Sequence, residues 1–324
     1  MIISQTPYRI SFGGGGTDLP AFYREECGAV FSATIDRHIY VTVHPRFEKN
    51  YRLAYSKIEV ISGIDQMQHE LIREALKMTG IDEPLEVTTI GDVPAGTGMG
   101  SSSSLTVGLL VALYAYQGRI VSSHRLAEEA CRIEIDILKK PIGRQDQYAA
   151  AFGGLNLITF RPNSTVDVQP VVCREEVLNE LESQMLVLYT NTTRSADGIL
   201  KQQQDSTPQL TSTLRAMRDL AEQMRNALSG EGNLGEFSRL LAEGWELKRS
   251  LGCGITNPGV DEMYTTALRH GATSGKLLGA GGGGFVLLLA PPERHNAIWE
   301  SLGRPTKLPI KFFRRGGSPI FLSH

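Results

Sequence analysis

The chain is short of metal-binding and disulfide chemistry. Its four cysteines, Cys27, Cys131, Cys173 and Cys253, lie far apart with no C-x-x-C pair. That spacing argues against a zinc knuckle and supplies no disulfide framework. The seven histidines (His38, His44, His69, His124, His270, His295 and His324) show no ligand spacing, so no transition metal is expected. The apolar runs fall short of the roughly 18 residues that a membrane span needs. Met1 leads straight into Ile2-Ile3 and a polar stretch, without a leader-like segment. A soluble, cytoplasmic protein is the expectation, with no membrane partner.

Charge of one sign is lacking too. The balance of 33 Lys and Arg against 35 Asp and Glu leaves a net charge of −2, with no global pull toward nucleic acid or an anionic surface. The basic cluster Lys311 to Arg315 is interrupted by Phe312 and Phe313 and reads as an edge strand with solvated charges. Internal repeats and low-complexity tracts are absent. The remaining composition, 41% hydrophobic and 21% charged, is that of an ordinary globular protein, and 324 residues suggest two domains. A polar, Pro-containing stretch at Arg161 to Glu182 reads as the joint, giving lobes 1–170 and 171–324.

Short strands are expected at Ile39 to Val43, Leu85 to Ile90, Leu155 to Phe160, Met185 to Tyr189, Phe285 to Ala290 and Ile310 to Phe313. Helical periodicity covers Met67 to Met78, Ser123 to Leu138, Gln209 to Leu228, Phe237 to Leu251 and Val260 to His270. The two kinds mix without a strict βαβ rhythm, so the fold class is α+β.

Glycine is plentiful, and it is placed with purpose. Pro94-Ala95-Gly96-Thr97-Gly98-Met99-Gly100 is followed by Ser101, Ser102, Ser103 and Ser104, then by an almost wholly apolar run from Leu105 to Tyr116. Glycines at alternate positions let a ligand approach the backbone, and a helix N-terminus attracts anions. The segment reads as a nucleotide phosphate site; the alternative is a tight turn and an over-capped helix. It is not a Walker loop, since the nearest match, Gly271 to Leu277, is one residue short and lacks the hydroxyl after Lys276. The G-x-G-x-x-G at Gly279, Gly281 and Gly284 precedes a strand, the wrong order for a dinucleotide fold. Neither an H-R-D-type loop nor a D-F-G occurs.

Two further constellations carry chemistry. Near the N-terminus a strand with Arg9 runs into Gly13-Gly14-Gly15-Gly16, which deliver Thr17 and Asp18. Asp18 can accept hydrogen bonds from vicinal sugar hydroxyls, or cap a helix beginning at Leu19. Later, Glu134 sits at the edge of a helix stripe made by Leu126, Ala130, Ile133 and Ile137, ahead of Gly143-Arg144-Gln145-Asp146. Asp146 beside a cation can take a hydroxyl proton, or form a surface salt bridge. Tyr51 and Tyr55 read as packing or surface residues rather than as a platform for adenine.

Taken in order, Arg9 to Asp18, Pro94 to Leu105, Gly143 to Gln147 and Lys276 to Gly284 resemble the successive signatures of the GHMP small-molecule kinases, a family named for galactokinase, homoserine, mevalonate and phosphomevalonate kinases. The resemblance implies a two-lobed fold, with a ribosomal-protein-S5-like N-terminal lobe that binds ATP and a ferredoxin-like C-terminal lobe. It implies ATP and Mg²⁺ as cofactors, with the backbone from Pro94 to Ser103 around the phosphates and Ser102 and Glu134 holding the metal. Asp146 and Arg9 become the catalytic pair. Gly15, Gly16, Thr17, Asp18, Arg144, Arg194, Lys276, Gly281 and Gly282 become substrate contacts. Within the family, Gly14 to Asp18 and Thr193 to Ala196 are most similar to the branch acting on D-glycero-D-manno-heptose 7-phosphate, which implies phosphorylation of an anomeric hydroxyl. Galactokinases usually carry Gly-Glu-His-Thr-Asp at the first of these segments, a departure that argues against galactose. A kinase of a free sugar such as fucose and a non-catalytic sensor of sugar and ATP are the alternatives. The partner expected is thus a small sugar or sugar phosphate; the sequence leaves the oligomeric state open.

Overall fold

A computed structural model describes residues 1–192, 196–252 and 254–323. Eleven strands among them, β1 (Ile2–Gly13), β2 (Gly28–Pro45), β3 (Tyr51–Ala54), β4 (Ile58–Ile61), β5 (Leu85–Gly91), β6 (Leu155–Phe160), β7 (Val166–Pro170), β8 (Met185–Tyr189), β9 (Ser274–Leu277), β10 (Phe285–Leu289) and β11 (Ser318–Leu322), form two sheets. The larger has the order β11-β1-β2-β5-β3-β4, with β6 and β7 branching from β2; the smaller is β8-β10-β9.

β2 is the spine of the larger sheet. One edge pairs with β1; on the other, Gly28 to Ala33 pair with β6 and Ile39 to Pro45 with β5. The β-branched run Ile39 to Val43 lies inside this strand, as its composition favours. Helix Ser101–Tyr116 packs on β1 and β2 and is buried on all sides from Ser103 to Tyr114, which explains its uninterrupted apolar sequence.

The sheets are joined by a helix pair. Thr211–Leu228 packs on β2 and β1, and its neighbour Leu234–Ser250 packs on β9. At the junction Phe237 is fully buried, edge-on to Phe12 at 5.2 Å and to Phe31 at 6.3 Å. No helix among the described residues is long and apolar enough to cross a membrane.

The structure differs from the sequence reading in three places. The polar stretch at 161–182 is not a bare linker: it carries β7 and most of helix Glu175–Gln184. Ile310 to Phe313 form no strand. Phe312 makes a single bridge to Ile35, and the ring of Phe313 stands edge-on to His38 at 4.5 Å, so this basic segment is anchored by its aromatics. The last strand is β11, paired with β1, so the C-terminal segment belongs to the larger sheet and the division at 170/171 does not hold for it. Alternation too weak to see in Ser318 to Leu322 hid this edge strand.

Because Phe237 fixes the helix pair to both central strands, Phe237→Ala is expected to lower unfolding free energy by about 3–5 kcal/mol. Phe237→Leu should restore part of that. Urea denaturation of the three proteins measures the difference.

Candidate active site

The glycine-serine loop ends at Gly100, the N-cap of helix Ser101–Tyr116, with φ of 75° and no side-chain cap. The serines are engaged elsewhere: Ser102 Oγ donates to Glu134 Oε1 at 2.6 Å, and Ser104 Oγ to the Pro7 carbonyl at 2.9 Å. The first-turn N–H groups therefore face the cleft uncapped, which is what an anion requires. The over-capped helix is excluded. Pro94 accepts from Thr97 Oγ1 at 2.8 Å, and Thr97 and Met99 are buried, so these three shape the loop from behind. Gly96, Gly98, Gly100, Ser101, Ser102 and Ser103 line the cleft itself.

A second glycine loop closes over the first. A Cβ on Gly98 would collide with the Leu278 carbonyl, one on Gly279 with Gly98 itself, and one on Gly284 with the Thr97 carbonyl. Gly98, Gly279 and Gly284 have φ of 81°, 78° and 105°, the left-handed region that glycine tolerates. Gly281 lines the cleft, whereas Gly282 is turned to Ile255 and Asn257: its N–H donates to the Ile255 carbonyl at 3.0 Å.

Arg9 and Asp146 meet at the centre. Arg9 Nε and Nη2 donate to Asp146 Oδ1 and Oδ2 at 2.7 and 2.8 Å, a two-pronged, charge-assisted pair. Arg9 Nη1 donates to the Gly98 carbonyl at 2.6 Å, and the Arg9 N–H to that of Met99 at 3.2 Å. The register of β1 against β2 shifts between Pro7 and Arg9, an irregularity of the kind that re-aims side chains beside active sites. With 22% of its side chain exposed, Asp146 opens onto the cleft, so the surface salt bridge is not what forms.

Glu134 is fully buried, deeper than its place at the edge of a helical stripe suggested. The helix Ser123–Cys131 passes into a π-helical turn over Arg132–Ile137, which breaks the stripe and leaves Ile137 43% exposed. Besides Ser102, Gln147 Nε2 donates to Glu134 Oε2 at 2.8 Å. Burial raises the Glu134 pKa, and the bonds from Ser102, Ser103 and Gln147 oppose that rise. No cation pairs with it among the described residues. A desolvated carboxylate beside a serine hydroxyl, hard oxygens both, fits a divalent cation that takes few protein ligands. No cluster of three or more His, Cys, Asp or Glu suited to a metal occurs among the described residues.

The N-terminal glycine loop is pinned by Asp18. Its Oδ1 accepts from the Gly16 N–H at 2.9 Å and its Oδ2 from the Gln145 N–H at 3.2 Å. It thus tethers the first residue of helix Gln145–Phe152 rather than capping the short helix Pro20–Tyr23, whose N-cap is Leu19. Burial raises its pKa, and those backbone bonds hold it down. Gly15, Gly16 and Asp18 line the cleft. Besides Gly282, two expected substrate contacts do not. Thr17 is fully buried with its hydroxyl bonded to the Gly14 and Ala29 carbonyls, at 2.8 and 3.0 Å. Arg144 lies over the Tyr23 ring at 5.6 Å and donates to the Ser164 carbonyl at 2.8 Å. Arg194 falls outside the described residues. Lys276 lines the cleft and donates to the Ser11 and Phe12 carbonyls at 2.8 and 3.0 Å.

Sequence reasoning missed Lys248, which also lines the cleft and is 7% exposed. A signal existed: Phe237, Leu241, Trp245 and Lys248 recur at helical spacing, so this lysine occupies the apolar stripe of its helix.

Around these groups lie two confluent hollows. The larger-sheet side of the glycine-serine loop opens on one of about 590 Å³ lined by Tyr8, Tyr55, His69 and Ala95. The other, about 330 Å³, lies between the glycine loops with Asp18, Lys248 and Lys276 on its wall. Gly96, Ser101, Ser102 and Lys140 are common to both. Tyr55, read from sequence as packing or surface, stands edge-on to His69 at 4.6 Å in the first hollow.

Comparison with known proteins gives the family. The sequence matches the GHMP kinases N terminal domain over residues 66–154 and the GHMP kinases C terminal domain over 216–307. It is 30% identical to the D-glycero-alpha-D-manno-heptose 7-phosphate kinase of Campylobacter jejuni, over 92% of both chains. It is 25% identical, over 95% of its length, to the bifunctional fucokinase/GDP-fucose pyrophosphorylase of Arabidopsis thaliana, of which it spans 32%. The crystal structure of a D-glycero-D-manno-heptose 1-phosphate kinase from Bacteroides thetaiotaomicron superposes with a TM-score of 0.83 over the whole of both chains, at 25% identity. With both domain signatures in order and a full-length relative at this identity, the chain belongs to the GHMP kinase family.

Proposed function

We propose that the protein transfers the γ-phosphoryl group of ATP to the anomeric hydroxyl of a sugar, with D-glycero-D-manno-heptose 7-phosphate as substrate and the 1,7-bisphosphate as product. The observation that carries this is the Arg9–Asp146 pair, set where the uncapped helix terminus meets the smaller hollow. The Campylobacter relative supports the choice of sugar. Such a kinase works in the cytoplasm, where ATP is supplied.

Phosphoryl transfer is mostly positioning and electrostatics. The larger hollow would take the nucleoside against Tyr55 and Tyr8, and the N–H groups from Ser101 to Ser103 the phosphate oxygens. Ser102 Oγ and Glu134 would hold Mg²⁺, which, when bound, neutralises phosphate charge. Asp18 and the Gly15-Gly16 backbone would receive sugar hydroxyls.

A carboxylate has about four acceptor positions, and Arg9 uses two of those on Asp146. One that remains can orient the anomeric O–H and take its proton as the oxygen bonds to phosphorus and ADP leaves. Arg9 fixes the carboxylate and steadies the charge on the transferring group. A pure sensor has no need of a proton acceptor clamped at this point.

ADP release measured with MgATP and a panel of heptose 7-phosphate, mannose, fucose and galactose tests the proposal. Turnover is expected with the heptose phosphate; turnover confined to a free sugar would overturn the substrate, and silence on all four would favour the sensor. Asp146→Asn, which can still accept from Arg9, is expected to lower kcat by about 10²–10⁴-fold while ATP affinity changes little. Near-normal turnover would remove Asp146 as the proton acceptor.

A further inference from the structure

Phosphoryl transfer at Arg9 and Asp146 leaves two lysines without a task. Lys248 comes from helix Leu234–Ser250 and Lys276 from β9, and both reach the smaller hollow. An ammonium taken out of water costs free energy unless an anion or strong acceptors meet it. Lys276 has two backbone carbonyls. Lys248, at 7% exposure, has no hydrogen bond or ion pair among the described residues. Asp18, the carboxylate that attracts it, already receives two backbone N–H groups.

Polar atoms on the same wall are also unpartnered. Ser11 Oγ and Gln145 Oε1 are buried without a hydrogen-bond partner, and both residues line the hollow. Buried polar atoms in folded proteins are otherwise almost always satisfied. Of the six charged side chains on the wall, Arg9, Lys140, Lys248 and Lys276 are cationic and Asp18 and Asp146 acidic. Arg9 is neutralised by Asp146 and Lys140 pairs with Glu70 at 3.0 Å, which leaves the two lysines facing Asp18 alone, with cations in excess.

We propose that Lys248, assisted by Lys276, forms the subsite for a terminal phosphate on the sugar. The inference rests on the kinase reading above and names the residue that sets its preference for a phosphorylated sugar. Lys276 is anchored on β1 at the Ser11 and Phe12 carbonyls, two and three residues on from Arg9, so the lysines and the Arg9–Asp146 pair address one hollow. Ser11 and Gln145 on the same wall are placed to meet sugar hydroxyls.

Titration adds a signature. Burial pushes Lys248 down to about 8, with Arg9 adding to the drop and Asp18 opposing it; burial, then Lys248 and Arg9, push Lys276 down to about 7. Lysines with lowered pKa are charged below those values and neutral above them. A bound dianion favours the charged forms, so affinity for it is full at low pH and lost as pH rises through 7 to 9. The substrate phosphate has its second pKa near 6, so its own charge is complete over that window.

The test compares kcat/KM for D-glycero-D-manno-heptose 7-phosphate and for the unphosphorylated heptose, in wild type, Lys248→Met and Lys248→Arg. Wild type is expected to prefer the phosphate by about 100-fold, in line with a buried charge pair. Lys248→Met should collapse that ratio to within a few-fold of one, chiefly through KM, and Lys248→Arg should retain part of it. A wild-type preference that survives in Lys248→Met overturns the subsite while the kinase reading stands. Equal kcat/KM for the two sugars in wild type overturns the subsite, and no turnover with either overturns the kinase reading as well. Should Lys248→Met fail to fold, the wild-type pH profile decides: KM for the 7-phosphate rising severalfold or more between pH 7 and 9, with KM for the free heptose nearly level, supports the subsite. Parallel profiles overturn it.

Discussion

At Gly98 the backbones of two loops meet with no room for a side chain. Its carbonyl takes a hydrogen bond from Arg9, while the Leu278 carbonyl and Gly279 press against its Cα from the other loop. The contact sets how far apart the two loops stand, and so the width of the cleft. It also couples chemistry to fold, because the guanidinium that holds Gly98 is the one that clamps Asp146. β5 of the larger sheet ends seven residues before Gly98, and β9 and β10 of the smaller sheet flank the loop that meets it. The Phe12–Phe237–Phe31 cluster holds the sheets and the helix pair in the register that it needs.

The second organising feature is the disposition of buried charge. Arg9 and Asp146 satisfy one another, Asp18 is held by backbone N–H groups, and Glu134 by a serine and a glutamine. Among the described residues, Lys248 lines the cleft without an anion, and Glu134, buried behind the cleft-lining Ser102, has no cation. A folded chain tolerates such groups where a ligand completes them. In this reading the cleft is electrostatically complementary to its substrates, with oxygen donors for the metal beside the nucleotide and ammonium groups for the sugar's phosphate.

Much of this was legible in the sequence because glycine and serine carry local instructions. The alternate glycines before Ser101, and the run from Gly13 to Gly16, constrain backbone alone, and the structure has both loops where that reading put them. The strands β6 and β8 match the expected bounds because β-branched and apolar residues fill them. Tertiary effects hid the rest. A π-helical turn that no local propensity announces carried Glu134 inward and Ile137 outward. Thr17 and Arg144 have the right chemistry for a substrate, but Ala29 and Tyr23, distant neighbours in the fold, claim them. Lys248 carries no local signature beyond its place on a helix stripe, since its significance lies in what surrounds it.

The central claim is that the cleft directs a phosphoryl group from ATP to the anomeric oxygen of a sugar held by its far end. Phosphorus–proton correlation NMR of the product formed from MgATP and D-glycero-D-manno-heptose 7-phosphate tests it most directly. The account predicts a second phosphorus resonance coupled to the anomeric proton, with the first still coupled to the protons on carbon 7. A new phosphate coupled to any other ring proton would contradict it.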